Sequence, residues 1–559
     1  MTFSETLRAK GLEVSDDAVT RTRYARDASL FEVMPAAITY PKSAEDVKTL
    51  VRYVAERTGA GEKVSLTPRG GGSCMSGGPL TESLVVDVTK YMNRVLEVGD
   101  RVNTTGGSPE GYATAEPGCF YRDFEKATLA KGYLMPAFPA SREMCTIGGM
   151  VGNDAAGEKT LKYGKVHNFV TKLKAVLADG NEYEIKPLTA RELSAKEALG
   201  TFEGDIYKRL HALLEANYEK VKAAKPNVAK NSAGFNLWDV WDRKTFDITK
   251  LFTGSQGTLG IATEATFRLV TPEAHSGMLV IFLKDIAPLV DIIRTVLTLT
   301  PSSVESFDRY TFSLALKHFW GFFKLFARNP FSLLFAFVPE ALTVMVHGMP
   351  AFIVMVEFEE TTVTAVMEKL AALKTALIDL EARGHFKTVM HTLKSARAAR
   401  KFWVIRHESF NLLRHKVQGL QTAPFIDDIV VNPEYLSTFL PEVYAILARY
   451  GFLATVAGHV GEGNFHVIPL MRLADESERA KIKPAMDEVY ALVLRYHGSI
   501  TGEHNDGLVR SPYLSQMFGA DIYALFEEVK RIFDPHNIFN PGKKVGASIE
   551  YALAHLKKG

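Results

Sequence analysis

The sequence predicts an α+β fold, and two patterns predict it together with the composition. As far as about Pro272, short β-rich runs alternate with Gly-rich turns and a few helices. From about Ala274 the units lengthen, and strands alternate with longer helices in a way that suits a sheet covered on one face by helices. With 559 residues, 47% of them hydrophobic, the chain is long enough for two or three domains with cores of their own. That excludes disorder as its main state.

In the first part, Ala37–Tyr40 reads as a strand and Ser43–Arg57 as a helix, with Ser43 as its N-cap and apolar residues three and four apart. Lys63–Thr67 and Leu84–Val88 read as strands around a glycine loop. Leu173–Asp179 and Glu182–Ile185 flank an Asp-Gly-Asn turn, which signals a hairpin. The longer units follow: strand Met278–Leu283, helix Ala287–Leu297, strand Val304–Phe307, an apolar insert, strand Ala351–Glu357 and helix Thr362–Arg383. Helix Pro433–Tyr450 then leads into a His/Gly/Asn cluster, and helices Ala480–Tyr496 and Ala520–Phe533 come after it. These shifts divide the chain into residues 1–272, an α/β cap at 273–432 (an antiparallel sheet covered by helices) with its insert at 311–350, and a helical C-terminal segment at 433–559.

Composition excludes several function classes. With 66 Lys+Arg against 64 Asp+Glu, the formal net charge of +2 gives no field that would draw the whole protein to nucleic acid. Cys74, Cys119 and Cys145 lack CxxC spacing, which argues against a disulfide framework, a zinc ribbon or a four-thiolate iron–sulfur cluster and fits a reducing cytoplasm. Glu5, Arg8 and Lys10 interrupt the N-terminus where a secretory signal needs an unbroken apolar stretch. The apolar region Phe319–Val356 is cut by Arg328, Pro330, Pro339, Glu340 and Pro350, so no uncharged part reaches the roughly 20 residues of a bilayer span. Within it, Phe319, Phe322, Phe323 and Phe326 fall on one helical face beside Lys317, Lys324 and Arg328. That pattern suits a peripheral membrane contact through 317–338, with a buried cap helix or a homodimer contact as the equal alternative. The expected location is cytoplasmic, peripheral on the inner face of the cell membrane where that contact forms.

Three glycine-rich stretches carry the first chemical signal. Thr67-Pro-Arg-Gly-Gly-Gly-Ser-Cys-Met-Ser-Gly-Gly78 lies between two expected strands, and its three consecutive glycines can bring several N–H groups towards one point, as phosphate oxygens require. No Lys-Ser/Thr follows, and there is no helix start for a GxGxxG fingerprint, so neither a Walker A loop nor an ordinary Rossmann site fits. With Thr146-Ile-Gly-Gly-Met-Val-Gly-Asn-Asp-Ala-Ala-Gly157 and Gly254-Ser-Gln-Gly-Thr-Leu-Gly260, the set implies a long ligand touched by backbone.

The second signal is a His/Glu constellation. His459 and His466 lie seven apart across glycines, and Glu503 supplies a third ligand from elsewhere. Two His and one carboxylate form a facial set that suits Zn²⁺, or another divalent first-row ion such as Mn or Fe, with positions left open for substrate oxygens. A pair of hydrogen-bonded structural histidines is the plainer alternative.

Taken in order, Pro68-Arg-Gly-Gly-Gly-Ser73, Thr146-Ile-Gly-Gly-Met150, Tyr163-Gly164 and Gly254-Ser-Gln-Gly-Thr-Leu-Gly-Ile261 resemble the FAD-binding elements of the vanillyl-alcohol oxidase/PCMH flavoprotein superfamily. Gly458-His-Val-Gly-Glu-Gly-Asn-Phe-His466, Gly502-Glu-His504 and Asp534-Pro-His-Asn-Ile-Phe-Asn-Pro-Gly-Lys543 resemble the C-terminal FAD-linked oxidase domain of D-lactate, glycolate and D-2-hydroxyglutarate dehydrogenases. The resemblance runs from about residue 30 to 545.

It implies a PCMH-type FAD-binding domain at 1–272 and metal and base residues in 433–559. FAD would lie extended, its pyrophosphate on the loop Arg69–Ser73 and its isoalloxazine facing the C-terminal part. The residues implied to hold it are Pro68, Arg69, Gly70, Gly71, Gly72, Ser73, Thr146, Gly148, Gly149, Asn153, Gly157, Gly254, Gly257 and Ile261. No histidine lies in Gly70–Ser76, where or near where many relatives link the flavin, so non-covalent FAD is expected. The resemblance favours a metal at His459, His466 and Glu503, with His504 as base, Arg406 on the substrate carboxylate and Asn464 on substrate or metal-bound water. For Arg406 a solvent-facing helix residue, and for Asn464 a turn residue with its own backbone bond, are equal alternatives.

The implied reaction is FAD-dependent oxidation of a small D-2-hydroxy acid to the 2-oxo acid, with a quinone or electron-transfer protein as acceptor. An O₂-using flavin oxidase and a non-catalytic electron-transfer subunit are the alternatives. Three departures bear on the substrate: Glu462 stands where relatives have Asp, and Ile468 and Ile426 where the D-2-hydroxyglutarate enzymes have Asn and Lys. Arg510 is placed to meet a second acidic group or to act structurally. No cluster motif follows Lys543.

Overall fold

The computed structural model describes residues 3–101, 110–317, 344–396, 398–406 and 419–558. The aromatic run expected to meet a membrane lies, from residue 318 onward, outside the described residues. Among those that are described, no helix is long and apolar enough to cross a membrane.

The α+β expectation holds. Strands Ala37–Thr39, Leu84–Asp87 and Leu66–Arg69 pair in parallel, with Val14–Ser15 antiparallel at one edge. The crossover between Ala37–Thr39 and Leu66–Arg69 is helix Ala44–Gly59, which buries Val47, Leu50, Val51, Tyr53 and Val54 at the spacing of one helical face. Ser43 occupies the N-cap with extended backbone but its side chain makes no cap bond. Instead the Asp46 carboxylate accepts from the Lys42 N–H at 2.7 Å. A second, antiparallel sheet runs Val95–Arg101, Glu110–Ala115, Ile261–Leu269, Val170–Val176, Glu182–Ile185. Its last pair is the expected hairpin.

The third sheet is the largest and is antiparallel throughout. It runs Val389–Leu393, His275–Leu283, Phe352–Glu360, Ser303–Asp308, Leu453–His459, Asn464–Met471, and Gln421–Thr422 and Ile429–Val430 both pair with the last of these. The segment from 433 is therefore helical only in part, because two of its strands complete the cap's sheet. Helix Val363–Gly384, N-capped by Thr362, and helix Leu289–Leu297 cover one face.

The chain then returns to its first part. Helix Leu514–Phe533 buries Ile522, Leu525, Phe526, Val529, Ile532 and Phe533 in the core of the antiparallel five-stranded sheet. Beyond it, Leu66 N–H donates to the Ile538 carbonyl at 2.7 Å, and Asn540 N–H to the Leu66 carbonyl at 2.9 Å, so residues 538–540 lie against the parallel strands.

Candidate functional site

One cavity of about 850 Å³ joins the two chemical signals of the sequence. At one end it is walled by Pro68–Ser73, Thr146, Gly148, Gly149, Asn153, Gly257 and Ile261, and at the other by Trp403, Arg406, His459, His466, Glu503 and His504. An elongated ligand spanning these ends meets backbone first and titratable groups last.

The glycine end is built by close approach. A Cβ on Gly71 would lie 2.0 Å from the Met144 carbonyl oxygen, and one on Gly70 would lie 2.2 Å from Thr146 Oγ1. Only bare backbone lets the first loop rest on Met144–Thr146. Thr146 caps helix Ile147–Asn153 by accepting the Gly149 N–H at 3.2 Å. Asn540 stitches the loops together: its Oδ1 accepts from Thr67 Oγ1 at 3.1 Å, and its Nδ2 donates to the carbonyls of Gly78 at 3.0 Å and Gln256 at 2.8 Å.

Three of the residues expected at this end are placed as follows. Arg69 turns its guanidinium away to the carbonyls of Tyr24 (3.0 Å) and Arg26 (2.7 Å), so it offers the cavity backbone rather than charge. Gly157 and Gly254 are not among the described residues lining the cavity. The Gly157 N–H donates to Thr160 Oγ1 at 2.8 Å, and the Gly254 carbonyl accepts from Asn505 Nδ2 at 2.9 Å.

The other end grows from the sheet. His459 ends one strand and His466 lies on the next, joined through the short helical turn Val460–Glu462 and Gly463. Gly463 has φ +67°, and a Cβ there would lie 1.8 Å from the Val431 carbonyl, so the turn requires glycine. His466 faces Ala457 across the ladder, and Ala457 shares a face with His459 two residues on. Both imidazoles therefore point the same way, with ring centroids 5.4 Å apart.

Their ring nitrogens are sandwiched between carboxylates. His459 Nδ1 bonds Glu305 Oε1 and its Nε2 lies 3.2 Å from Glu503 Oε1. His466 Nδ1 bonds Asp427 Oδ1 at 3.0 Å and its Nε2 lies 3.3 Å from the same Glu503 oxygen. An ionised carboxylate only accepts, so a neutral imidazole bonded through Nδ1 turns its Nε2 lone pair towards Glu503. Three acceptor atoms then converge, a donor set that fits a cation bound between them, with Glu305 and Asp427 fixing the tautomers from outside. Against the opposing effect of burial, His459 and Arg406 hold the Glu305 carboxyl down at about 2, and Lys230 and His459 hold Glu503 well below the usual range. Burial would lower His466, but Asp427 raises it to about 10 when the position between the imidazoles carries no other charge.

His504 follows Glu503 and bonds Asp427 Oδ2 through Nδ1 at 2.6 Å, its ring stacked on His466 at 4.9 Å and 25°. The Gly502-Glu-His504 backbone is pinned by one buried residue. The Asp428 carboxylate accepts the N–H groups of Gly502 (2.9 Å), Glu503 (2.9 Å) and His504 (2.7 Å). Asn464 also serves Asp428, donating Nδ2 at 3.0 Å. It is fully buried and is not among the described lining residues, and this bond to Asp428 fits the structural alternative of the two that the sequence offered. Arg510 is fully buried too, donating to the carbonyls of Asn505 (2.9 Å) and Asp427 (2.6 Å), and is not among the described residues lining the cavity, which fits its structural alternative. Arg406 lines the cavity with Nε anchored on Glu305 Oε2 at 3.0 Å.

Sequence reading missed Lys230, Glu305, Asp427 and Asp428. Lys230, fully buried, lies 3.0 Å from Glu462 and 3.1 Å from Glu503, which gives the longer Glu462 side chain its partner. The signal for the two aspartates was present: adjacent acids inside the apolar run Phe425-Ile-Asp-Asp-Ile-Val-Val431 are rarely buried without a task. Around the cluster, five carboxylates (Glu305, Asp427, Asp428, Glu462, Glu503) face three fixed cations (Lys230, Arg406, Arg510), and protons on His459 and His466 or a bound cation in their place offset the difference.

Two family models match the chain. Residues 35–186 match the family described as FAD binding domain, and residues 272–544 match FAD linked oxidases, C-terminal domain. The chain is 28% identical to a D-2-hydroxyglutarate dehydrogenase of Pseudomonas putida over 97% of its own length, but spans only 51% of that relative. It is 26% identical to the glycolate oxidase subunit GlcD of Bacillus subtilis over 96% of this chain and 95% of that one. Among solved structures, 4-ethylphenol oxidase from Gulosibacter chungangensis shares the fold, with a TM-score of 0.66 and 17% identity, covering 97% of this chain and 95% of that chain.

Proposed function

We propose, from the premise that this chain belongs to the FAD-linked oxidases of the vanillyl-alcohol oxidase/PCMH superfamily, that it is an FAD-dependent dehydrogenase of a small D-2-hydroxy acid. The names of its relatives, a D-2-hydroxyglutarate dehydrogenase and a glycolate oxidase subunit, support that substrate class. One observation carries the reading: a single cavity runs from the glycine loops to convergent His459, His466 and Glu503 with His504 beside them.

Bound FAD supplies the acceptor for the α-hydrogen and its electron pair. The histidines lining the cavity, among the described residues, all lie at the far end, which supports non-covalent FAD. A divalent cation held by His459, His466 and Glu503 would supply Lewis acidity to the substrate hydroxyl. His504, with Nδ1 committed to Asp427, has Nε2 left to take the hydroxyl proton. Arg406 receives the substrate carboxylate with a guanidinium whose angle is set through Glu305. Thr455, Ala457 and Ile468 line the adjoining wall and receive the rest of the acid. A quinone or electron-transfer protein is the proposed acceptor.

The test is His504→Ala. The variant is expected to keep its flavin spectrum and to lose anaerobic bleaching by D-2-hydroxy acids, slowed by about 10²–10⁴-fold. Bleaching at the wild-type rate would remove His504 as base.

A further inference from the structure

Asp427 is fully buried and shared. Its Oδ1 bonds His466 Nδ1 at 3.0 Å, its Oδ2 bonds His504 Nδ1 at 2.6 Å, and the two rings stack at 4.9 Å. The residue itself has little freedom, because its carbonyl accepts Arg510 Nη2 at 2.6 Å and the preceding Phe425 carbonyl accepts the Tyr490 hydroxyl at 2.7 Å.

We propose that Asp427 is a positioning residue that sets the tautomer of both imidazoles at once, and so makes the cation site and the base one unit. This rests on the function proposed above for what each imidazole does, although the tautomers themselves can be tested without it. The argument is one of donor and acceptor capacity. A carboxylate has two acceptor oxygens and no hydrogen, so each oxygen requires an N–H on the ring nitrogen it meets. Both histidines then carry a proton at Nδ1, and with a cation seated among His459, His466 and Glu503 each keeps Nε2 as a lone pair, one for the cation and one for the hydroxyl proton. An amide of the same shape cannot do this. Its oxygen accepts from one Nδ1–H, but its NH₂ must donate to the other, which moves that ring's proton to Nε2. Asn at 427 therefore disables either the ligand or the base. Alanine removes the constraint without imposing the wrong tautomer.

The prediction opposes what a purely structural role gives, where the isosteric Asn would be the mild change and Ala the severe one. Asp427→Asn and Asp427→Ala are compared with wild type for flavin per chain by absorbance, metal per chain by elemental analysis, and anaerobic flavin reduction by D-lactate, glycolate and D-2-hydroxyglutarate. Long-range ¹H–¹⁵N correlation on ¹⁵N-histidine-labelled wild type, assigned with His466→Gln and His504→Gln, reads the tautomers directly. The expected result is Nδ1–H on both residues in metal-loaded wild type, with Asp427→Asn reduced at least 100-fold more slowly than wild type and no faster than Asp427→Ala, and depleted of metal where its amide nitrogen faces His466. A neutral Nε2–H tautomer without Nδ1–H at either position in metal-loaded wild type overturns the proposal, and so does Asp427→Asn with wild-type metal content and reduction rate. If the wild-type tautomers are as assigned but none of the three acids bleaches the flavin, the tautomer assignment stands and the functional reading fails instead.

Discussion

Lys230→Met is the sharpest test of the charge arrangement at the site. Lys230 is fully buried with its ammonium 3.0 Å from Glu462 and 3.1 Å from Glu503. Methionine of similar volume removes the charge and leaves two carboxylates facing each other in a medium that solvates neither. Breaking a buried pair in this way costs about 3–5 kcal/mol. For a cooperative unit the size of the cap and its C-terminal strands, that corresponds to a fall of about 6–20 °C in Tm. The assay is differential scanning calorimetry in chelator and again with Zn²⁺ or Mn²⁺. A cation at about 100 times its Kd restores about 2.7 kcal/mol. The recovery is expected to be larger in Lys230→Met than in wild type, because the added ion then neutralises both acids. A chelator-treated variant melting within about 1 °C of wild type would refute the view that Lys230 is their counter-charge.

Three further outcomes follow from the geometry. Gly71→Ala places a Cβ 2.0 Å from the Met144 carbonyl, so purified protein is expected to hold flavin about tenfold less tightly or worse, read as flavin absorbance per chain after dialysis. Arg406→Lys keeps a charge but loses both the planar fork and the Nε anchor on Glu305, and the KM for the hydroxy acid is expected to rise about 10–100-fold with flavin retained. Burial and then Glu359 push the Glu357 carboxyl up to about 8, with Lys159 opposing. The folded protein therefore binds a proton that the unfolded chain releases near 4.5, and the stability this contributes is present below that pH and lost as pH rises through about 8. Glu357→Gln should melt progressively higher than wild type between pH 5 and 8; parallel Tm profiles would contradict the assignment.

How much of this was legible beforehand differs by element. The helix now seen at Ala44–Gly59 and the strands from His275 to Glu360 were readable because their apolar periodicity is local. His459, His466, Glu503 and His504 were readable as a set because glycines and spacing confine them. What the chain does not display is pairing at long range. Nothing local to Lys230 announces partners at 462 and 503, and nothing local to Glu305 announces His459, 154 positions away. Asn464 was open for a related reason: its polarity was visible, but the buried acceptor it serves, Asp428, comes from the bend before strand Ile429–Val430. The strands of 453–471 likewise look like the start of a separate segment until their register with Ser303–Asp308 places them in the cap.

The contacts of Asn540 have a consequence for biosynthesis. The loops at 67–78 and 256 are among the earlier parts of the chain to leave the ribosome, yet the residue that fastens them to one another is made hundreds of residues later. A nascent chain released before that point carries every glycine of the cradle and lacks the knot. A chain truncated before residue 540 is thus expected to hold the dinucleotide more weakly than the full chain, read as flavin absorbance per chain.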